Sequence, residues 1–183
     1  MFTIHFNPFP EFNTPRFLLR PPALSDAEEV AQLRSDPLVN KYLNRPGPVS
    51  VAAAEQFLEK IIANNTAHLS LYWVIIAKDT LELVGTICLW NIVPALEEAE
   101  VGYELQSRFF GQGIMQEVLP GIIRFGFEEM QLQRIIALPA EGNERSSRLL
   151  EKHHFALNEE LKQRLEKEED MTGILCYSLT KSV

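Results

Sequence analysis

The stretch Arg108-Phe109-Phe110-Gly111-Gln112-Gly113-Ile114 sets two glycines one residue apart, directly before the longest helix-periodic apolar segment of the chain. Glycine lets a backbone approach a ligand with no Cβ in the way. The first amides of a helix have no internal partners, and the helix dipole adds partial positive charge to them. A strand, a glycine loop and a helix start in that order form a cradle for a phosphate or pyrophosphate. The same two glycines also suit an ordinary tight turn. No Gly-Lys-Ser/Thr follows, so a P-loop is unsupported, and Met115 and Gln116 follow where a dinucleotide fingerprint carries further glycine. Upstream, Glu100 and Glu104 are spaced to share one strand face with Gly102, while Val101, Tyr103 and Leu105 share the other. A carboxylate on a central strand is costly to bury unpaired. It therefore marks either a salt bridge or a general base.

These residues need a frame, and the chain has the patterns for one. Arg16–Arg20 reads as a short strand stopped by Pro21-Pro22. Ser25-Asp26-Ala27-Glu28 reads as a capping box, opening a helix that ends before Pro37. Ser50 opens a second helix, with Ala53, Ala54, Phe57, Leu58, Ile61 and Ile62 at three- and four-residue spacing. Leu71–Ala77, Val84–Val93 and Ala99–Leu105 follow as strands joined by short breaks, an antiparallel meander. Gly113–Met130 is a long helix in which Pro120 must kink the axis or leave a hydrogen bond unfilled. Arg134–Leu138 is a strand, so strand, helix and strand form a crossover with parallel strands. Asn143–His153 is a further helix that His153-His154 ends. Residues 157–170 fit a helix through Leu157, Leu161 and Leu165, or a strand through alternation, with Glu166–Asp170 a solvated turn. Ile174–Leu179 is the last strand.

With 183 residues, the chain is expected to be one domain spanning 1–183. Its first 15 residues form a proline- and phenylalanine-rich arm that packs rings onto that domain, a dimer contact or cleft wall being the sharper alternative. The net charge of −8 argues against nucleic-acid partners. No apolar run approaches the roughly 20 residues that span a bilayer. The start lacks the pattern of a signal peptide. Cys88 and Cys176 cannot make a disulfide scaffold and fit a reducing, cytoplasmic setting. His5, His68, His153 and His154 show no metal-ligand spacing, and no metal is expected. Trp90 either lines an acceptor cleft or sits in the core, the usual place for a lone tryptophan.

Arg108-x-x-Gly111-x-Gly113 resembles the Arg/Gln-x-x-Gly-x-Gly/Ala signature of the GNAT acyl-CoA N-acyltransferases, and Asn143-Glu144-Arg145-Ser146 resembles their second signature. More specifically, residues 14–180 resemble the RimJ/RimL branch, the ribosomal-protein N-terminal acetyltransferases and their relatives. The matching pieces include Thr14–Arg20, Ser35-Asp36-Pro37, Val84–Ile87, Asn91-Ile92, Ala99–Leu105, Leu149–Lys152 and Tyr177–Leu179. The chain departs from the branch at His153-His154-Phe155, where an apolar residue, a glycine and a phenylalanine are usual. It departs again at Pro120 and in the short, charged segment 158–170.

The resemblance implies an α/β (α+β) GNAT fold: a mixed, mostly antiparallel sheet with one splayed parallel strand pair and helices on both faces. It implies acetyl transfer from acetyl-CoA, as co-substrate, to a primary amine, either a protein N-terminus or a small amine such as a polyamine, amino sugar or antibiotic. Two rival readings are a non-catalytic acyl-CoA sensor and a plain nucleotide-phosphate binder. The expected pyrophosphate donors are the backbone amides of Arg108, Phe110, Gly111, Gln112, Gly113 and Ile114. Tyr103 and Leu105 would offer strand-edge groups to pantetheine, which can pair like a peptide. Asn143 would reach pantetheine or simply cap its helix. Ser146 would protonate the leaving sulfur or bond within its own helix turn. Glu100 is the first choice for the base and Glu104 the second, acting directly or through water. Monomer and homodimer both stay open.

Overall fold

The computed structural model describes residues 2–43, 45 and 47–181; Met1 of the arm lies outside them. Eight strands form one sheet in the order β1-β2-β3-β4-β5-β6-β8-β7. They are β1 (Phe12–Asn13), β2 (Phe17–Arg20), β3 (Leu71–Ala77), β4 (Leu83–Val93), β5 (Glu98–Leu105), β6 (Arg134–Ala137), β7 (Ala156–Leu157) and β8 (Tyr177–Thr180). Six helices accompany them: α1 (Ala27–Ser35), α2 (Pro37–Asn40), α3 (Val51–Thr66), α4 (Ile114–Glu128), α5 (Glu144–Lys152) and α6 (Glu159–Leu165). Every strand pair is antiparallel except β5–β6. The fold is therefore the expected mixed α+β sheet, with the meander β3-β4-β5 and the crossover β5-α4-β6 that the sequence pattern implies.

Strand β3 explains how both faces are filled. Leu71, Trp73 and Ile75 point to one side, where α4, α5 and the N-terminal arm cover them. Val74 and Ile76 point to the other, where α1 and α3 do so. A strand buried on both faces loses the polar alternation of a half-exposed one, hence the unbroken apolar run. The arm packs as expected: Phe9 and Phe12 lie 5.5 Å from Trp73, and Phe6 lies 4.9 Å from Phe125. Pro10 contributes its carbonyl, which accepts the Trp73 indole N–H at 2.7 Å.

Some local expectations change. Ser25 does not cap α1. A single 3₁₀ turn, Leu24–Asp26, precedes the helix, and Asp26 accepts from the backbone of Ala23 (2.8 Å) and from Arg20 (2.6 and 2.9 Å). A charged pair with a fork of donors outcompetes a serine hydroxyl there. Ser50 does cap α3, accepting from Ala53. The ambiguous segment divides: Leu157 ends strand β7, and only Glu159–Leu165 forms helix α6, whose Leu161 packs on Ile136 and Cys176. Helix α4 runs through Pro120, which is exposed, so the Gln116 carbonyl it leaves without a donor lies on the solvent side. His154 has φ 66, the left-handed conformation that glycine adopts without strain. The departure from the branch pattern thus falls on a backbone position that favours the glycine.

Candidate active site

Strands β5 and β6 pair only from Glu98↔Arg134 to Glu100↔Ile136. Beyond Glu100, β5 continues to Leu105 while β6 ends at Ala137, so the β5 edge facing β6 loses its partner. This is the expected splay, and it leaves backbone groups of Val101–Leu105 free to pair with an extended ligand. Glu98 anchors its base. It is buried and ion-paired to Arg134 (2.5 Å) and to Arg164 of α6.

Two clefts open on the two sides of the splay. One, of about 770 Å³, is lined by the Phe110–Gln116 loop and helix start together with α5. Gly111 (φ 76) and Gly113 (φ 73) both have left-handed backbones, and Gly113 is the N-cap of α4. Left-handed residues beside right-handed ones form a backbone concavity whose amides can receive an anion. Arg16 braces the loop from outside: its side chain donates to Glu117 (2.7 Å) and to the Gln112 carbonyl (3.2 Å). The far wall carries Arg145, Arg148 and Lys152, basic residues that helical spacing puts on one face of α5 in an otherwise acidic chain. The i, i+3, i+7 spacing of these three cations is the signal in the sequence that marks them. Arg145 lies over the Phe110 ring at 4.7 Å. Arg108 does not join them: its side chain pairs with Gln106 (2.9 Å) and Glu82 (3.3 Å). Of Arg108, only the backbone stays with the loop.

The second cleft, of about 840 Å³, lies on the opposite sheet face, between α3 and the β6 end. Its floor is the face of Cys88, Trp90, Glu100, Gly102 and Glu104, as strand register dictates. A Cβ at Gly102 would stand 3.1 Å from Cys88 Sγ and 3.5 Å from Trp90 Nε1, so glycine keeps this floor open. Trp90 is 43% exposed and belongs to the cleft, whereas Trp73 is the core tryptophan.

The two carboxylates of the floor differ. Glu104 is ion-paired with Arg45, which holds both of its oxygens at 2.5 and 3.1 Å. It is not a free base. Among the described residues Glu100 has no ion-pair partner. A β-bulge between Trp90 and Val93 turns Asn91 into a left-handed conformation (φ 43), and its side chain donates to Glu100 at 3.0 Å. Burial pushes the Glu100 carboxyl up to about 7, against the opposing hydrogen bonds from Asn91 and Trp90. A carboxyl near 7 can take a proton at neutral pH.

The clefts meet at Tyr42, Leu43, Tyr103, Glu104, Asn143 and Ser146, which line both. Asn143 caps α5, its side chain accepting from Ser146 N at 3.4 Å. Ser146 Oγ stands 2.7 Å from the Tyr103 hydroxyl. Burial raises the Tyr103 phenol to about 12, so it stays protonated. Along the chain Tyr103 is marked only as a strand-edge group, and nothing local gives a site role to Arg45, Asn91 or Tyr42. Each of these roles depends on contacts across the fold.

Comparison with known proteins gives the family and the fold. Residues 16–156 match the model of the acetyltransferase (GNAT) domain. The chain is 30% identical over 173 residues to the uncharacterized N-acetyltransferase YoaA of Bacillus subtilis (strain 168), covering 94% of this chain and 98% of that one. Among solved structures it superimposes on the ribosomal-protein-S5-alanine acetyltransferase of Vibrio fischeri (TM-score 0.73, 21% identity, 93% and 96% covered). It also superimposes on RimL, the ribosomal L7/L12 α-N-protein acetyltransferase, in complex with coenzyme A (TM-score 0.76, 20% identity, 93% and 98% covered). The chain belongs to the GNAT acetyltransferase family, and it shares its fold with ribosomal-protein acetyltransferases of the RimJ/RimL branch.

Proposed function

We propose that the protein uses acetyl-CoA to acetylate a primary amine that enters between α3 and β5, with Glu100 as base and Ser146 as proton donor. One observation carries this reading. A carboxyl raised to about 7 and a Tyr103–Ser146 hydroxyl pair line the same cleft, and that cleft meets the glycine-loop cleft at Ser146.

The left-handed glycine loop and the basic face of α5 fit a pyrophosphate, and the unpaired β5 edge fits an amide-rich pantetheine arm. Acetyl-CoA supplies the activated acyl group. Glu100 takes a proton from the incoming ammonium, directly or through water, leaving the nitrogen lone pair free to attack the thioester carbonyl. As the new C–N bond forms and the C–S bond breaks, the Ser146 hydroxyl gives its proton to the sulfur. The nitrogen sheds its second proton to water as it becomes the amide, and a proton returns from water through the Tyr103–Ser146 hydroxyl pair to restore the serine. Glu104, held by Arg45, shapes the wall of the cleft.

The acceptor is a protein N-terminal amine or a small amine, and the RimJ/RimL relatives favour the first. The two thiols, both free, fit a reducing cytoplasm. Among the described residues no helix is long and apolar enough to cross a membrane. The test is free-thiol release from acetyl-CoA with a panel of N-terminal peptides, polyamines and amino sugars. Amine-dependent release is expected. CoA binding without release for any amine would instead leave a sensor module, and competition by ATP but not CoA would leave a nucleotide-phosphate binder.

A further inference from the structure

Two guanidinium groups lie near Glu104, and one of them, Arg34, lines the acceptor-side cleft. Arg45 takes the carboxylate, through both Glu104 oxygens, and also donates to Asn40 at 3.0 Å. Arg34, in the last turn of α1, has no carboxylate. Among the described residues its side chain makes no salt bridge and no hydrogen bond, and its Nε is sealed from solvent without an acceptor. The guanidinium lies over the Phe57 ring at 3.9 Å, with its plane held against the wall of the cleft.

A purely structural role accounts for part of this. The Phe57 face attracts a cation by roughly 0.5–2 kcal/mol, and a helix C-terminus favours positive charge. Neither accepts a hydrogen bond from the fork. Buried donors without partners are rare and expensive. Burial, and secondly the neighbouring Arg45 charge, lower the Arg34 pKa, while Glu104 opposes them. An arginine keeps its charge even so, and among the described residues this guanidinium has no hydrogen-bond partner where it lines the proposed acceptor cleft. A planar fork of this kind matches the two oxygens of a carboxylate or phosphate.

We propose that the acceptor carries, besides its amine, a carboxylate or phosphate that pairs with Arg34. This deepens the acetyl-transfer reading above and rests on it for the position of the amine. Glu100 and Glu104 are four residues apart on β5, and Arg34 faces the Glu104 end. Four strand residues at about 3.3 Å each put the anionic group roughly 13 Å from the reacting nitrogen, the reach of two or three extended residues plus an acidic side chain. In a peptide acceptor that is an acidic side chain at the second or third position. Lone polyamines, which carry only positive charge, are disfavoured by the Arg34 guanidinium.

The probes are tripeptide amides with a free N-terminus and Glu, Gln, Lys or phosphoserine at position two or three, the rest being Ala. Calorimetric binding to the CoA complex is expected to favour the Glu or phosphoserine peptide over its Gln counterpart at least tenfold, and the stronger of the two identifies the anion. Arg34→Met should bring the Glu-to-Gln ratio near one. Arg34→Lys should keep part of it, and Arg34→Glu should shift preference toward the Lys peptide. Equal binding of Glu and Gln peptides by the unaltered protein, a preference that survives Arg34→Met, or no binding of any probe would overturn the assignment. Thiol release measured in parallel separates the two ideas. An acid preference without release from any peptide counts against acetyl transfer and not against Arg34, whereas release without an acid preference does the reverse.

Discussion

The Tyr103 hydroxyl and Ser146 Oγ, 2.7 Å apart, join the strand that floors one cleft to the helix that walls the other. The contact sits where the two clefts meet, so a proton held there can reach a thiolate without crossing the acceptor side. Ser146→Ala is expected to lower turnover tenfold or more while raising the apparent KM for acetyl-CoA much less, because the proton matters only as the sulfur leaves. Tyr103→Phe should lower turnover by a smaller factor in the same way. A Ser146→Ala enzyme running at full speed would return the serine to its helix turn.

Glu100 should set the acidic limb of the rate profile. With the carboxyl at about 7, the rate rises with pH through neutrality, and at pH 6 it stands near a tenth of its plateau. Glu100→Gln keeps the acceptor for Asn91 but removes the base. Turnover should fall by roughly 10²–10⁴, the acidic limb should vanish, and high pH should partly restore the rate. Retention of both rate and limb in this variant would exclude Glu100 as the base.

The same carboxyl also ties stability to pH. Its folded pKa lies above the ordinary value of 4.5, so the folded state holds the proton more tightly than the unfolded one. Stability from this group is full below about 4.5 and is lost as pH rises through about 7. Glu100→Gln carries no such loss. Its melting temperature should exceed that of the unaltered protein by several degrees at pH 8, with the gap closing toward pH 5. A gap that is constant across this range would contradict the burial that raises the carboxyl.

Gly111 has φ 76, and none of the described residues lies within 4 Å of where its Cβ would stand. Gly111→Glu therefore adds backbone strain of about 1–2 kcal/mol and a negative charge beside the loop amides. CoA affinity by calorimetry should drop at least tenfold while circular dichroism shows the fold intact. Unchanged affinity would remove the phosphate role from this loop.

Glu98 is buried between Arg134 and Arg164. Glu98→Ala leaves two guanidiniums facing each other at the base of the splay. Because both arginines are partly exposed, the expected loss is about 2 kcal/mol, below the 3–5 kcal/mol of a fully buried pair. Urea unfolding reads this directly, and Glu98→Gln should recover part of it. A loss under about 0.5 kcal/mol would mean that the pair does not anchor the splay.

The sequence by itself determined the parts that local pattern controls. Glycines at 111 and 113 are needed wherever the backbone turns left-handed, so residue type and spacing alone mark the loop. Period-two alternation decides which β5 residues share a face, and so puts Glu100 and Glu104 together. The crossover with a single parallel pair follows from strand, helix and strand in succession. Tertiary structure decided what those residues do. Glu100 and Glu104 look equivalent along the chain, but Arg45 arrives from 59 residues away to neutralise Glu104, and a bulge brings only an uncharged Asn91 to Glu100. Tyr103 meets Ser146 across 43 residues, and Arg16 reaches Glu117 across 101. The physical reason is range. Dihedral preference and side-chain period act over a few residues, whereas desolvation and ion pairing depend on which distant groups the packed sheet brings within hydrogen-bond reach. Arg34 follows the same rule. In the sequence it is one more cation on a helix, and only the fold shows that it faces a substrate cleft while Arg45 holds the nearby carboxylate.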